Sequence, residues 1–161
     1  MAKENHIVGF RIGRETFGVP IALVHEIVRV PDITAVPDSP GYVEGVINLR
    51  GRIVSVLDLR KRFGEKEIVP SKKNRILVSE VNGKMVGLIV DSASEVLKIP
   101  DSDVHPAPHV FDGEGEMNYV TGVGKLQGRL IILLDLNKIL HKGELRRLGE
   151  AEESQTAARA L

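Results

Sequence analysis

The chain has 161 residues, no cysteine, and balanced charge, with 22 Lys plus Arg against 22 Asp plus Glu. This excludes disulfides, thiolate metal sites and cysteine nucleophiles, and it leaves no global field to draw the chain to nucleic acid or an anionic membrane. With 42% apolar residues, no Trp, 2 Tyr and 4 Phe, the core must be built mainly from Val, Ile and Leu, which favour strands.

Met1 to His6 lacks the apolar region of a signal peptide. No apolar run approaches the about 18 residues of a membrane span, so a soluble cytoplasmic protein is expected. Ile7 to Ile12 predicts a strand, and Thr16 to Val19 its returning partner across Gly13-Arg14-Glu15. Pro20 to Glu26 predicts a short helical turn, with Ile27 to Val30 extended after it. Val43 to Leu49 and Ile53 to Leu57 predict a strand pair folded at Gly51. Asp58 follows as a cap for a helical turn over Leu59 to Phe63, which Gly64 stops. Glu65 to Asn74 is charged, contains Pro70, and reads as a linker. Ile76 to Val81 and Lys84 to Val90 predict a second hairpin on the turn Asn82-Gly83, where both residues tolerate positive φ. Asp91 is expected to cap the next turn. Asp103 to Met117, rich in Pro, Gly and acids, reads as a loop. Val120 to Leu126 and Leu130 to Leu134 predict a last strand pair, and Asp135 caps a turn over Leu136 to His141, stopped by Gly143. Glu144 to Leu161 reads as a surface helix or a frayed tail.

Two of these stretches are copies of one another. Tyr42 to Lys61 (YVEGVINLRGRIVSVLDLRK) and Tyr119 to Lys138 (YVTGVGKLQGRLIILLDLNK) share 11 of 20 residues at a constant offset of 77. A weaker match at an offset of 69 precedes them: Phe17-Gly18-Val19 with Val86-Gly87-Leu88, Glu26-Ile27-Val28 with Glu95-Val96-Leu97, and Pro31-Asp32 with Pro100-Asp101. The chain is therefore a duplication, with subdomain one at about 7–64, a linker at 65–74, subdomain two at about 76–140 and a tail at 144–161. Units this small bury too little apolar surface alone, so the expectation is two units packed on each other. Strands without long crossover helices argue for an all-β fold, each unit a small curled barrel whose closure removes exposed edges.

Chemistry is sparse. His105 and His109, flanked by Asp103 and Asp112, lie in a segment with two prolines that cannot form the helix a metal site of that spacing wants. Asp58 and Asp135 occupy equivalent capping positions rather than a paired acid–base site. The glycines form no GxxxxGK[ST] or GxGxxG run, and no serine sits in a GxSxG elbow. Neither catalytic residue, metal nor cofactor is indicated. The copies diverge at informative places: Asn48 becomes Lys125, Arg50 becomes Gln127, Ser55 becomes Ile132 and Arg60 becomes Asn137. Arg50 before the Gly51 turn either orders the loop, offers a bidentate fork to a partner carboxylate, or is an ordinary solvated arginine.

GYVEGVINLRGRIVSVLDLRKRFG (Gly41 to Gly64) resembles the signature of the CheW family of chemotaxis coupling proteins. FGVPIALVHEIVRVPDITAVPDSP resembles the family's preceding segment. MVGLIVDSASEVLKIPDSDVHPAP and YVTGVGKLQGRLIILLDLNKIL resemble its second half. The resemblance runs from Asn5 to about Leu140. It implies two SH3-like five-stranded β-barrel subdomains packed across a shared hydrophobic core, with a few short helices. It also implies a non-catalytic adaptor joining chemoreceptor cytoplasmic tips to the regulatory domain of the histidine kinase CheA. Such an adaptor is cytoplasmic, recruited to the inner face of the membrane through receptor arrays, and neither inserts in the membrane nor binds nucleic acid. Carried over by position, the receptor groove involves Val24, Glu26, Ile27, Asn48, Leu49 and Arg50, with Val96 and Leu97 as further candidates. Core packing is the alternative for Val24 and Ile27. Kinase contacts are expected around Ile33, Val36, Tyr42, Gly51, Arg52 and Ile53. An adaptor of a non-chemotactic receptor–kinase pathway and an enzyme of another type are the competing readings.

Overall fold

The computed structural model describes residues 3–37, 41–65, 68–106 and 119–140. The expected loop beyond Pro106, with His109 and Asp112, and the expected features from His141 onward lie outside these residues. Within them the chain is predominantly β. The strands are β1 (Glu4–Ile12), β2 (Glu15–Pro20), β3 (Val24–Arg29), β4 (Val43–Leu49), β5 (Arg52–Asp58), β6 (Arg75–Val81), β7 (Lys84–Val90), β8 (Ser92–Pro100), β9 (Val104–Pro106), β10 (Val120–Leu126) and β11 (Arg129–Leu134). Among the described residues, helix is confined to α1 (Leu59–Arg62) and to 3-10 turns at Ile21–Leu23, Asp101–Asp103 and Leu136–Lys138.

The strands form a six-stranded sheet, β8-β1-β2-β11-β10-β9, and a five-stranded sheet, β3-β6-β7-β5-β4. The two orders superpose under the sequence repeat: β3 answers to β8, β6 to β1, β7 to β2, β5 to β11 and β4 to β10. The bridge Thr34↔Val46 stands where β9 pairs with β10. Each sheet therefore takes its first hairpin from one copy and its remaining strands from the other, so the linker at 65–74 separates sequence copies and not sheets. The exchange is sealed by parallel pairing, β2 with β11 and β5 with β7. Each sheet is thus completed only by strands of both copies, the arrangement expected of units whose own size is marginal.

Local chemistry explains the elements. The β4–β5, β6–β7 and β10–β11 hairpins turn on Arg50-Gly51, Asn82-Gly83 and Gln127-Gly128, all with positive φ at both central residues, as two-residue hairpin turns require. Asp58 and Asp135 each accept a bond from the backbone N–H two residues on, of Arg60 and Asn137, both at 2.9 Å. Gly45 has φ 142, and a Cβ there would lie 2.0 Å from the Thr34 carbonyl oxygen; at its repeat partner Gly122 a Cβ would lie 2.7 Å from the His105 oxygen. Both glycines survive in the repeat because a crossing segment passes over them.

Two expectations are corrected. Asp91 caps no turn, since β8 follows it directly; its carboxylate instead accepts from the Gly13 N–H at 2.7 Å. The loop expected from Asp103 begins as strand, because Val104 to Pro106 pairs with β10 and covers its edge.

The core has three parts. A shared layer between the sheets includes Val8, Phe10, Ile12 and Val19 from one sheet and Leu57, Leu77, Val86 and Leu88 from the other. Ile47, Val54, Val56, Ile76, Val78 and Ile89 pack within the five-stranded sheet, and Ile7, Leu97, Ile99 and Ile131 within the six-stranded one. An aromatic chain runs through the shared layer, Phe10–Phe17–Phe63–Tyr119, with successive ring centroids 5.9, 5.2 and 5.0 Å apart.

Candidate functional site

Arg50 sits at the tip of the β4–β5 hairpin in a left-handed conformation, φ 51. Non-glycine residues adopt this region at a cost, and the neighbouring contacts hold it. The Asn48 side-chain oxygen accepts from the Gly51 N–H at 2.8 Å and closes the turn. The Arg50 guanidinium then meets Glu26 on β3 as a two-pronged pair: Nη1 donates to Oε1 at 3.1 Å and Nη2 to Oε2. The Arg50 bond, opposed by partial desolvation and reinforced by the charges of Arg50 and His25, holds the Glu26 carboxyl below its ordinary range. Arg50 is raised by the same partner.

This pair also measures the sheet. β3 and β4 stand at opposite ends of a five-strand order, about 19 Å apart were the sheet flat, at about 4.8 Å per strand interval. The side chains meet because the sheet curls on itself. Glu95 on β8 and Arg129 on β11 make the matching pair across the other sheet, at 3.3 Å. There Gln127 has replaced the turn arginine and Arg129, the repeat partner of Arg52, reaches the glutamate instead.

The structure divides the expected receptor residues. It brings Glu26 and Arg50 together beside Asn48 and Leu49 at the end of β4, while Ile27 alternates with Glu26 along β3 and points to the other face of the strand. Ile27 is 39% exposed, and Val24 is half-buried against the shared core, as Leu49 is against the sheet's own core. The competition between core and groove thus resolves residue by residue: Val24 packs, Ile27 projects. Val96, 57% exposed, lies on β8 of the other sheet, at the position matching Ile27. Leu97, 9% exposed, packs inside the six-stranded sheet, where it closes on Gly9.

Among the expected kinase residues, Gly51 and Arg52 are exposed at the hairpin tip and Ile53 is half-buried below them. Ile33 packs against the core of the five-stranded sheet. Val36 is half-buried, and Tyr42 packs on the shared core beneath the Arg62 guanidinium, 5.4 Å from its ring centroid.

One cluster escaped sequence reading. Arg60, 6% exposed, donates Nε and Nη2 to the Asp58 carboxylate at 2.9 and 3.0 Å, and Nη1 to Asp91 at 3.1 Å. Burial works to lower the Arg60 pKa, but the Asp58 and then the Asp91 bonds outweigh it and leave it raised. Asp91 in turn holds Gly13, in the turn between β1 and β2. The repeat position Asn137 does the corresponding work on the other hairpin, accepting the Asn82 N–H at 2.9 Å through its side chain. Sequence showed the divergence of Arg60 and Asn137 but not their partners, which lie 31 and 55 positions away.

No group of His, Cys, Asp or Glu able to hold a metal occurs among the described residues, and no described helix is long and apolar enough to cross a membrane.

A duplicated β scaffold carrying oriented surface pairs beside exposed aliphatics defines a protein-binding module. Residues 6–144 match the CheW-like domain, and the chain belongs to that family. It is 36% identical over 138 residues to a chemotaxis protein CheW of Rhizobium meliloti (strain 1021), covering 86% of this chain and 88% of that protein. It is 36% identical over 135 residues to a chemotaxis protein CheW of Helicobacter pylori, covering 84% and 81%. The crystal structure of the scaffolding protein TtCheW from Thermoanaerobacter tengcongensis superposes with a TM-score of 0.79 at 36% identity, over 88% of this chain and 96% of that one.

Proposed function

We propose that this chain is a non-catalytic adaptor that couples chemoreceptors to the histidine kinase CheA in chemotaxis signalling. Family membership supports the role. The observation that carries the receptor site is the Arg50–Glu26 pair, which fixes a strained hairpin tip against β3, the strand from whose other face Ile27 projects. An apolar side chain at a receptor tip would pack on Ile27 and Leu49, while the paired charges orient it. The kinase's regulatory domain would take the neighbouring surface around Gly51, Arg52 and Ile53, with Ile33, Val36 and Tyr42 setting its shape.

Each sheet is best read as an SH3-like barrel. The cross-sheet pairs Glu26–Arg50 and Glu95–Arg129 and the separate interior cores support that reading. Two such bodies sharing a core form one rigid frame for several weak contacts, which become strong when arrayed because linked binding raises effective concentration. The protein would work in the cytoplasm, drawn to the inner face of the membrane through receptor arrays.

Co-sedimentation with receptor cytoplasmic fragments tests the site. Arg50→Glu is expected to lose receptor binding at an unchanged unfolding midpoint, since it places two carboxylates together on an exposed surface. Full binding by that variant would remove the assignment.

A further inference from the structure

The end of the five-stranded sheet gathers four cations among the described residues. Arg29 on β3 and Arg75 on β6 are direct cross-strand partners, an arrangement that is unfavourable for like charges. Arg75 Nη1 donates to the carbonyls of Lys72 and Asn74, both at 2.8 Å. These bonds fold the preceding turn against the guanidinium and bring the exposed Lys72 and Lys73 beside it. Among the described residues none of the four lies within 4.0 Å of a carboxylate, whereas Arg50, Arg60, Lys61 and Arg129 are each paired. The repeat shows what has changed. The positions matching Arg29 and Arg75 in the other sheet are Lys98 and His6, also cross-strand partners, and there Glu4 lies 4.0 Å from the imidazole. One end of a symmetric frame has thus gained cations without gaining acids, in a chain whose formal net charge is zero. Two exposed aliphatics adjoin the patch in sequence, Val30 and Val69, the latter 74% exposed.

We propose that this end of the sheet, formed by Arg29, Lys72, Lys73 and Arg75, docks an acidic polypeptide segment of a partner protein. The guanidiniums suit carboxylates as two-pronged donors, and the lysines add point charges at the rim. A polypeptide fits better than the alternatives. Nucleic acid wants exposed rings for stacking, and the described aromatics are engaged: Phe10, Phe17, Phe63 and Tyr119 with one another, Tyr42 with Arg62. A lipid surface wants an amphipathic helix or a long polybasic run, and here the cations stand on a strand pair and a turn. The patch begins at the last residue of β3, two positions beyond Ile27, and none of its residues is assigned to the receptor site, so the inference does not rest on that site.

The test is fluorescence anisotropy of a labelled glutamate peptide interrupted by two leucines, titrated with the full chain. Lys72→Glu/Lys73→Glu should weaken binding about tenfold, since each reversal at an interface rim costs a fraction of that factor. Lys98→Glu/Lys125→Glu, with the same change in net charge on exposed lysines of the other sheet, should leave it within about twofold. Lys72→Gln/Lys73→Gln, which removes the charges without reversing them, should fall between them, and it carries the test if the reversal variant shows a lowered unfolding midpoint. Equal losses in the patch and control variants, no binding at low salt, or tighter patch-dependent binding of phosphatidylserine vesicles or RNA than of the peptide would overturn the proposal.

Discussion

Arg60→Ala tests whether the frame is held by the buried pair that joins its two copies. The guanidinium is 6% exposed and makes three bonds to two carboxylates, Asp58 in the same copy and Asp91 across the linker. Replacing the whole arrangement by apolar residues could be nearly neutral, but removing one partner strands buried charge and costs about 3–5 kcal/mol. Against a total stability of about 5–15 kcal/mol, that is a large fraction. At about 2–4 °C per kcal/mol for a chain of this size, the midpoint should fall about 6–20 °C. The loss should be the same at neutral and moderately alkaline pH. A group whose folded pKa is raised contributes fully below its unfolded pKa and loses that contribution only as pH rises through the folded value, which for arginine lies beyond the range where the protein is handled. Urea and thermal unfolding of Arg60→Ala, Asp58→Asn and the double variant form a cycle. Asp58 and Arg60 should couple by about 1–3 kcal/mol. A loss below about 1 kcal/mol in Arg60→Ala would show that the pair is incidental and that the apolar layer alone joins the copies.

Four further outcomes follow from the geometry. Gly45→Ala should fail to fold or lose more than about 3 kcal/mol, because its Cβ would meet the Thr34 oxygen. Gly51→Ala meets nothing within 4 Å and should cost only about 1 kcal/mol from its positive φ; chemical denaturation separates the two. Asn48→Ala frees the Gly51 N–H, so receptor co-sedimentation should weaken while Arg50 and Glu26 remain present, and unchanged binding would make the turn self-sufficient. The depressed Glu26 carboxyl contributes above its unfolded pKa and stops contributing as pH falls through its lower folded value. Receptor binding should therefore stay level through the mildly acidic range and fail only below the ordinary glutamate range, which a pH series of the same assay reads directly.

Much of this architecture was legible in the chain, and the reasons are physical. Asn82-Gly83 and Gly51 marked hairpins because positive φ leaves few alternatives to those residues, and Val43 to Leu49, Lys84 to Val90 and Val120 to Leu126 came out with the expected bounds. The duplication implied two packed units. What it could not convey was the exchange of hairpins, since periodicity says that a strand is half-buried and not which neighbour pairs with it. Short apolar runs gave β8 and β9 away only weakly; Val104 to Pro106 reads as loop until β10 is beside it. The site was legible in part. Glu26 and Arg50 were named separately, and only the curl of the sheet makes them partners. The weak repeat match placed Val96 and Leu97 on one strand with no means of choosing a face, and a strand's alternation leaves Val96 exposed and Leu97 buried.

The most direct test of the account is reconstitution of kinase output from three components: receptor fragment arrayed on vesicles, CheA, and this chain. The intact protein should raise receptor-dependent autophosphorylation of the kinase, and Arg50→Glu, folded and at equal concentration, should leave the kinase near its receptor-free rate. Kinase output that is indifferent to adding the chain, or equally stimulated by the Arg50→Glu variant, would contradict it.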